Sequence, residues 1–176
     1  YKILHAELDK AGAADGKHYT LTIAVNAGVD RVNAMQDPSN PNSVADYWKQ
    51  VNTLVDQINL MSYDYHGAYD NSKPAYFHAN YDFANIPLDK QADVGQTSGW
   101  SIKAVVAAYQ ANGITAKKLV LGLPAYARTM SVSGGTNGGL LQAVSGAGFG
   151  DYEAGVLDYK CLVNPVADKA NGCKNV

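Results

Sequence analysis

Between Gln57 and Asp70 the chain reads QINLMSYDYHGAYD, an apolar run that ends in Tyr63, Asp64, Tyr65 and His66 and breaks at Gly67. Farther on, KLVLGLPAYAR runs from a second apolar stretch into Tyr126 and Arg128. Side chains alternate along a strand, so Asn59, Met61 and Tyr63 share one face, and Tyr126 and Arg128 share another. Turned inward, those faces form a pocket of a thioether, two phenols and a guanidinium, with Asp64 at its rim. Phenol and guanidinium groups donate to a carbonyl or a developing oxyanion, and a carboxylate accepts from an amide N–H. That set suits a neutral, amide-bearing substrate. A phosphate calls for more Lys and Arg or a Gly-rich loop, and neither GVDRVNA nor SGGTNGGLL continues as G-K-[ST] or G-x-G-x-x-G. Singly these residues decide little, since Met61 is ordinary core filler and Arg128 an ordinary surface cation. Their joint placement carries the reading. His66 and His78 lie in a loop without a second ligand pattern, so neither a metal nor a cofactor is expected, and His5 and His18 read as solvated.

The elements that must position these groups follow from periodicity. YKILHAELDKAGAADG places Ile3, Leu4 and Leu8 on one helical face and stops in Gly-rich sequence. YTLTIAV, Tyr19–Val25, reads as a strand buried on both faces. A loop follows, after which Ser43 and Asp46 form an S-x-x-D capping box ahead of a helix with Val44, Tyr47, Trp48 and Val51 on one face. QINLMSY is the second strand. A Tyr-, Asn- and Pro-rich excursion from Asp64 to Gly99 has no periodicity, and such loops are usually functional. Ser101 caps a helix carrying Ile102, Val105, Val106 and Tyr109, which stops at Gly113. KLVLGLP is the third strand. The order helix, strand, helix, strand, helix, strand predicts an α/β fold with a parallel sheet, whose chemistry sits at the carboxyl ends of the strands. After Arg128 the βα rhythm is lost, and a boundary is expected near Met130.

Composition narrows the class. The chain has 176 residues, 47% of them apolar, and a net charge of −2. With only 17% charged residues and no cationic cluster, nucleic-acid and membrane-surface roles lack electrostatic support. No apolar run reaches the roughly 18 residues of a membrane span. Twelve tyrosines suit a carbohydrate cleft as well as a core. Cys161 and Cys173 are compatible with one local disulfide or with two thiols.

INLMSYDYHGAYD resembles the sixth-strand signature of the family-18 glycoside hydrolases, the chitinases: Met-x-Tyr-Asp followed by aromatic-x-Gly-x-aromatic. KLVLGLPAYAR is similar to their seventh strand, with Tyr126-Ala127-Arg128 where Tyr-Gly-Arg is usual, and YTLTIAVNAG to their fifth. YEAGVLDY resembles part of the α+β domain inserted after strand seven. The resemblance implies a partial (β/α)8 TIM barrel, about strands 5–7, over residues 1–130, and the beginning of an α+β insertion domain over residues 131–176. It implies chitin or N-acetylglucosamine oligomers as substrate, secretion, and substrate-assisted retaining hydrolysis, in which the 2-acetamido oxygen is the nucleophile. Tyr63 and Asp64 are then the catalytic residues, Tyr63 bonding the N-acetyl carbonyl and Asp64 the acetamido group. Met61 lines the pocket, Tyr126 and Arg128 bind sugar hydroxyls and carbonyls, and Glu153 reaches a sugar from the insertion. Tyr69 stands where the family usually has a Trp platform.

The family's general acid is the Glu ending a D-x-x-D-x-D-x-E motif on the fourth strand, and this sequence contains no such motif. A full barrel takes about 250 residues. The expectation is a piece of a longer polypeptide, inactive alone, that requires the remaining strands 1–4 and 8 as its partner. The alternative is an inactive chitin-binding module.

Overall fold

The computed structural model describes residues 1–94, 99–151 and 153–163. In chain order its elements begin with α1 (Lys2–Asp15), β1 (Thr22–Asn26), α2 (Val29–Ala34), α3 (Tyr47–Leu54) and β2 (Gln57–Met61). They continue with α4 (Leu88–Gln91), α5 (Ile102–Ala111), β3 (Leu119–Leu121), β4 (Tyr126–Arg128) and β5 (Met130–Val132). The last are β6 (Val144–Ala147), β7 (Val156–Asp158) and α6 (Tyr159–Val163). The chain divides into two compact units: Tyr1–Ser62 with Ser98–Gly122, and Tyr63–Thr97 with Leu123–Val176.

In the first unit the apolar runs pair as a parallel sheet in the order β1-β2-β3, with Ile23 beside Ile58 and Ile58 beside Leu119. Helices between successive strands satisfy the crossover that parallel pairing requires. Burial alternates along β2: Ile58 and Leu60 are enclosed, whereas Gln57, Asn59 and Met61 are half-exposed. The expectation of strands buried on both faces is therefore corrected. Thr22, Ala24, Asn26 and Val120 are exposed, whereas Ile23, Ile58 and Leu60, on the other side of the pleat, are buried. The sheet is an open α/β sheet, and no barrel closes among the described residues.

The helical layer is locked by polar contacts at its edges. Trp48 meets the Tyr109 ring edge-on at 4.8 Å and donates from Nε1 to the Val32 carbonyl at 2.8 Å. The Tyr109 hydroxyl donates to the Asn26 carbonyl at 2.8 Å, tying α5 to the carboxyl end of β1. Lys118 Nζ donates to the carbonyls of Asn52 and Val55 at 2.6 and 2.7 Å, placing a cation on the carbonyl end of α3. Asp56 accepts from the Leu21 N–H at 2.7 Å, with His18 Nε2 at 2.8 Å, so one carboxylate fixes the entries of β1 and β2.

Several local expectations hold. Ser101 caps α5 by accepting from the Ala104 N–H at 3.3 Å, and Gly113 leaves that helix at φ 95°. Others are corrected. Ile3 and Leu4 of α1 are exposed, and Gly12 is the buried residue of that helix. The Ser43–Asp46 capping box does not form. Asp46 adopts a left-handed conformation and its carboxylate pairs with Lys49 at 2.7 Å, so the helix starts at Tyr47 and Val44 stays exposed. The stretch after β1 holds α2, whose six residues are too few to show a period. The Cys161–Cys173 question falls on Cys173, outside the described residues.

The second unit has its own core, in which Tyr76, Phe83, Ile86 and Val94 are buried with Leu140 and Leu141 packed against them. The excursion after β2 is therefore ordered around aromatic side chains. Its backbone is held by Ala75 N–H to the Gln142 carbonyl and Leu141 N–H to the Ala75 carbonyl, both at 2.9 Å. Buried His66 lies edge-on to Tyr76 at 5.7 Å, with Nε2 2.9 Å from the Val94 carbonyl. Tyr126 and Arg128 do not extend the third parallel strand. They form β4, which pairs antiparallel with β7 with Tyr126 opposite Asp158 and Arg128 opposite Val156. Pro124, lacking an N–H, stands between β3 and β4 and is compatible with that break.

Replacing Tyr109 with Phe removes the donor to the Asn26 carbonyl and little volume. A loss of about 1–2 kcal/mol is expected, read in the intact polypeptide as a lower urea midpoint at unchanged slope.

Candidate functional site

Asp64 is one of three described non-glycine residues of the second unit with a left-handed backbone, beside Asn137 and Leu141. It follows the second strand's sequence directly and adopts φ 62°, the left-handed region that few non-glycine residues occupy. A short polar side chain tolerates that conformation at a cost on the order of 1 kcal/mol, provided neighbours hold it. Here every polar group of the residue is engaged. Arg128 donates from Nε to Oδ1 at 2.8 Å and from its terminal nitrogen to Oδ2 at 2.7 Å, a two-pronged pair. The Tyr126 hydroxyl donates to Oδ1 at 2.7 Å. The Asp64 carbonyl accepts from the Tyr69 hydroxyl at 2.5 Å, and its N–H points at His78 Nδ1 at 3.4 Å.

The secondary structure supplies this geometry. Residues 126 and 128 are two apart on β4, so both side chains project on the same side and converge on one carboxylate. The antiparallel partner β7 pairs with all three residues of that short strand, and Leu157 and Cys161 pack with Ala127. Gly67 makes room for Tyr69: a β-carbon on Gly67 would lie 2.4 Å from Tyr69 Cε1. The guanidinium of Arg128 sits over both the Tyr69 and Tyr126 rings at 5.5 Å.

The electrostatics follow. The Arg128 guanidinium, chiefly, with the Tyr126 hydroxyl, holds the Asp64 carboxyl below the usual carboxylate range against the opposing effect of burial. Asp64 in turn raises Arg128 further, chiefly through the hydrogen bond. Burial and the neighbouring carboxylate push the Tyr126 phenol up, and Tyr69 to about 12, so both stay protonated donors. Burial lowers His78 despite the nearby carboxylate, which favours a neutral ring.

The structure brings together Asp64, Tyr69, Tyr126 and Arg128 from the expected set. The Tyr63 ring lies edge-on to Tyr126 at 6.1 Å, while its hydroxyl takes no part in the Asp64 network. Glu153 is largely exposed, with Oε1 3.9 Å from an Arg128 nitrogen. Met61 ends β2 in the first unit and is half-exposed there. Tyr69 is exposed, yet its hydroxyl braces the Asp64 main chain, a role the sequence did not suggest. The sequence marks His78 only as a loop histidine without a second ligand pattern; nothing in AYFHANYD ties it to a residue fourteen positions earlier. No group of three or more His, Cys, Asp or Glu able to hold a metal occurs among the described residues.

The Asp64–Arg128 pair stabilises the fold only while Asp64 is ionised. Its folded value is depressed, so the contribution is complete above the ordinary value of about 3.9 and is lost as pH falls through the lower folded value. Melting temperatures of the intact polypeptide and its Asp64→Asn variant should differ most at neutral pH and converge as acidification below the ordinary carboxylate range protonates Asp64. A gap that widens on acidification would contradict the ion-pair account.

Residues 1–174 match the family model described as glycosyl hydrolases family 18. The chain is 32% identical over 177 residues to Chitinase 1 of Aphanocladium album, covering 97% of this chain and 36% of the relative. It is 31% identical to Chitinase A1 of Niallia circulans, covering 89% of this chain and 20% of that protein. Among solved structures, chitinase ChiA74 from Bacillus thuringiensis superposes with a TM-score of 0.69 at 27% identity, over 90% of this chain and 24% of the other. A class V chitinase from Nicotiana tobaccum, solved in complex with NAG4, gives a TM-score of 0.68 at 21% identity, over 94% of this chain and 42% of its own; that likeness is one of fold. The chain thus spans well under half the length of these relatives, and it belongs to glycosyl hydrolase family 18.

Proposed function

We propose that these residues form part of the catalytic domain of a secreted chitinase that cleaves β-1,4-linked N-acetylglucosamine polymers by substrate-assisted retaining catalysis. Residues 1–130 belong to a TIM-barrel catalytic domain, in which β1, β2 and β3 serve as strands five to seven. Residues 131–176 begin an α+β insertion. The general-acid Glu and the remaining barrel strands come from outside these 176 residues, and the piece alone is inactive. The observation that carries the reading is the left-handed Asp64, held ionised by Arg128 and Tyr126.

The chemistry follows from counting acceptor sites. An ionised carboxylate offers about four lone-pair sites, of which Arg128 and Tyr126 occupy three. One remains for the N–H of a 2-acetamido group. A carboxylate that accepts this N–H turns the acetamido oxygen toward the anomeric carbon, and the negative charge of Asp64 offsets the positive charge that spreads over the amide as the C–O bond forms. The Tyr63 phenol donates to the acetamido carbonyl and fixes its approach. A proton delivered by the external Glu leaves with the glycosidic oxygen, and water then opens the cyclic intermediate with retention. Tyr126 and Arg128 bind sugar hydroxyls and carbonyls, Met61 lines the pocket, Glu153 reaches a sugar from the insertion, and the exposed Tyr69 ring offers a smaller stacking face than a Trp would.

The relatives' chitinase names support the chitin reading, as does the NAG4 bound to the tobacco chitinase. The inactive chitin-binding alternative has no observation of its own.

In the intact polypeptide, Asp64→Asn and Tyr63→Phe should each lower kcat on a chitin oligomer by on the order of a hundredfold, with smaller effects on KM. Retained turnover in both variants would remove these residues from the chemistry; no turnover by the unmodified polypeptide would remove the chitinase reading itself.

A further inference from the structure

Asp64 has a support on its main-chain side that the proposed chemistry does not use. His78 is mostly buried, with 15% of its side chain exposed. Its Nδ1 lies 3.4 Å from the Asp64 N–H, which is directed at it, and 3.5 Å from Asp64 Oδ1. The same ring packs on Tyr126 at a centroid distance of 5.3 Å. The His78 carbonyl accepts from the Tyr65 N–H at 3.0 Å, so the histidine's own backbone is pinned to the residue after Asp64. Its neighbour Tyr76 sits in the aromatic core of the second unit.

We propose that His78 is a positioning residue: as a neutral imidazole with an unprotonated Nδ1, it accepts the Asp64 amide proton and holds Asp64 in its left-handed conformation with the carboxylate aimed for use. Geometry selects the amide over the carboxylate as the partner of Nδ1. Asp64 Oδ1 already receives Tyr126 and Arg128 at 2.7 and 2.8 Å, whereas the Asp64 N–H is met by His78. With Nδ1 used as an acceptor, the proton of the neutral ring resides on Nε2. One imidazole then touches both Asp64 and Tyr126, which lies on the strand that carries its clamp. A residue in the left-handed region relaxes by turning its two flanking peptide planes against each other; His78 on the Asp64 N–H and the Tyr69 hydroxyl on the Asp64 carbonyl hold one plane each and together block that turn.

The inference rests on the proposed role of Asp64 in orienting the acetamido group. Its first test does not depend on turnover. In the intact polypeptide labelled with 15N-histidine, with the His78 signals assigned by their loss in His78→Asn, the neutral ring should carry its proton on Nε2. A proton on Nδ1 at neutral pH overturns the proposal whatever the activity. The second test is kinetic. His78→Phe keeps the ring and removes the acceptor, and should lower kcat on a chitin oligomer about tenfold with KM nearly unchanged. His78→Asn, whose amide oxygen can accept the same N–H, should recover most of that loss. Equal kcat in the Phe variant and the unmodified polypeptide overturns the proposal, as does equal loss in the Phe and Asn variants. If the unmodified polypeptide turns over no chitin, the chitinase reading fails and the tautomer still decides the role of His78.

Discussion

The second unit depends on an ion pair that holds a backbone in an unfavourable conformation. The two-pronged contact between Arg128 and Asp64 is partly shielded, with 22% and 34% of the side chains exposed, so its charges attract more strongly than a fully solvated pair but avoid the full desolvation cost of a buried one. Arginine suits this position better than lysine, because its planar fork meets both carboxylate oxygens at once. The Tyr126 hydroxyl adds a neutral donor and the Tyr69 hydroxyl satisfies the carbonyl. The left-handed turn at Asp64 persists because each of these contacts needs it. Relaxing the turn would break them together.

That arrangement explains why an apparently shapeless excursion has its own packed core. A turn held by side chains alone would move with them. Tyr76 and Phe83, stacked 6.3 Å apart, with Ile86 and Val94, give the excursion an interior, and His66 links that interior to the Val94 carbonyl. His78 and Tyr69 approach Asp64 from this excursion, and Tyr126 and Arg128 approach from β4. The first unit solves a different problem. Its parallel strands need polar anchors where they enter the sheet, and Asp56 and Lys118 provide them by satisfying main-chain groups that no neighbouring strand reaches.

Much of the local structure was legible in the chain because it depends on near neighbours. The serine at 101 caps a helix whose free N–H groups lie within one turn of it, and the apolar runs at Ile23, Ile58 and Leu119 pair in parallel as their content suggests. The expected Ser43–Asp46 capping box fails for the complementary reason. A capping pattern competes with any other conformation the residue can adopt, and the Lys49 contact accompanies a left-handed one. The exposure of Ile3 and Leu4 shows the same limit, since an apolar face predicts a need for cover and not its source.

By itself the sequence determined the α/β order, the concentration of Tyr, Asp and His after the second strand, and the pairing of Tyr126 with Arg128 at alternate positions. Those properties are written in composition and period, which are local. Only the tertiary structure decided that Tyr126 and Arg128 leave the parallel sheet for an antiparallel pair with Val156–Asp158, and that Asp64 is strained. It alone put the His78 and Tyr69 side chains on the Asp64 main chain. Such contacts join residues as far as sixty-four positions apart, as Asp64 and Arg128 are. They exist only after loops have closed and a core has fixed where each side chain points, so no window of sequence contains them.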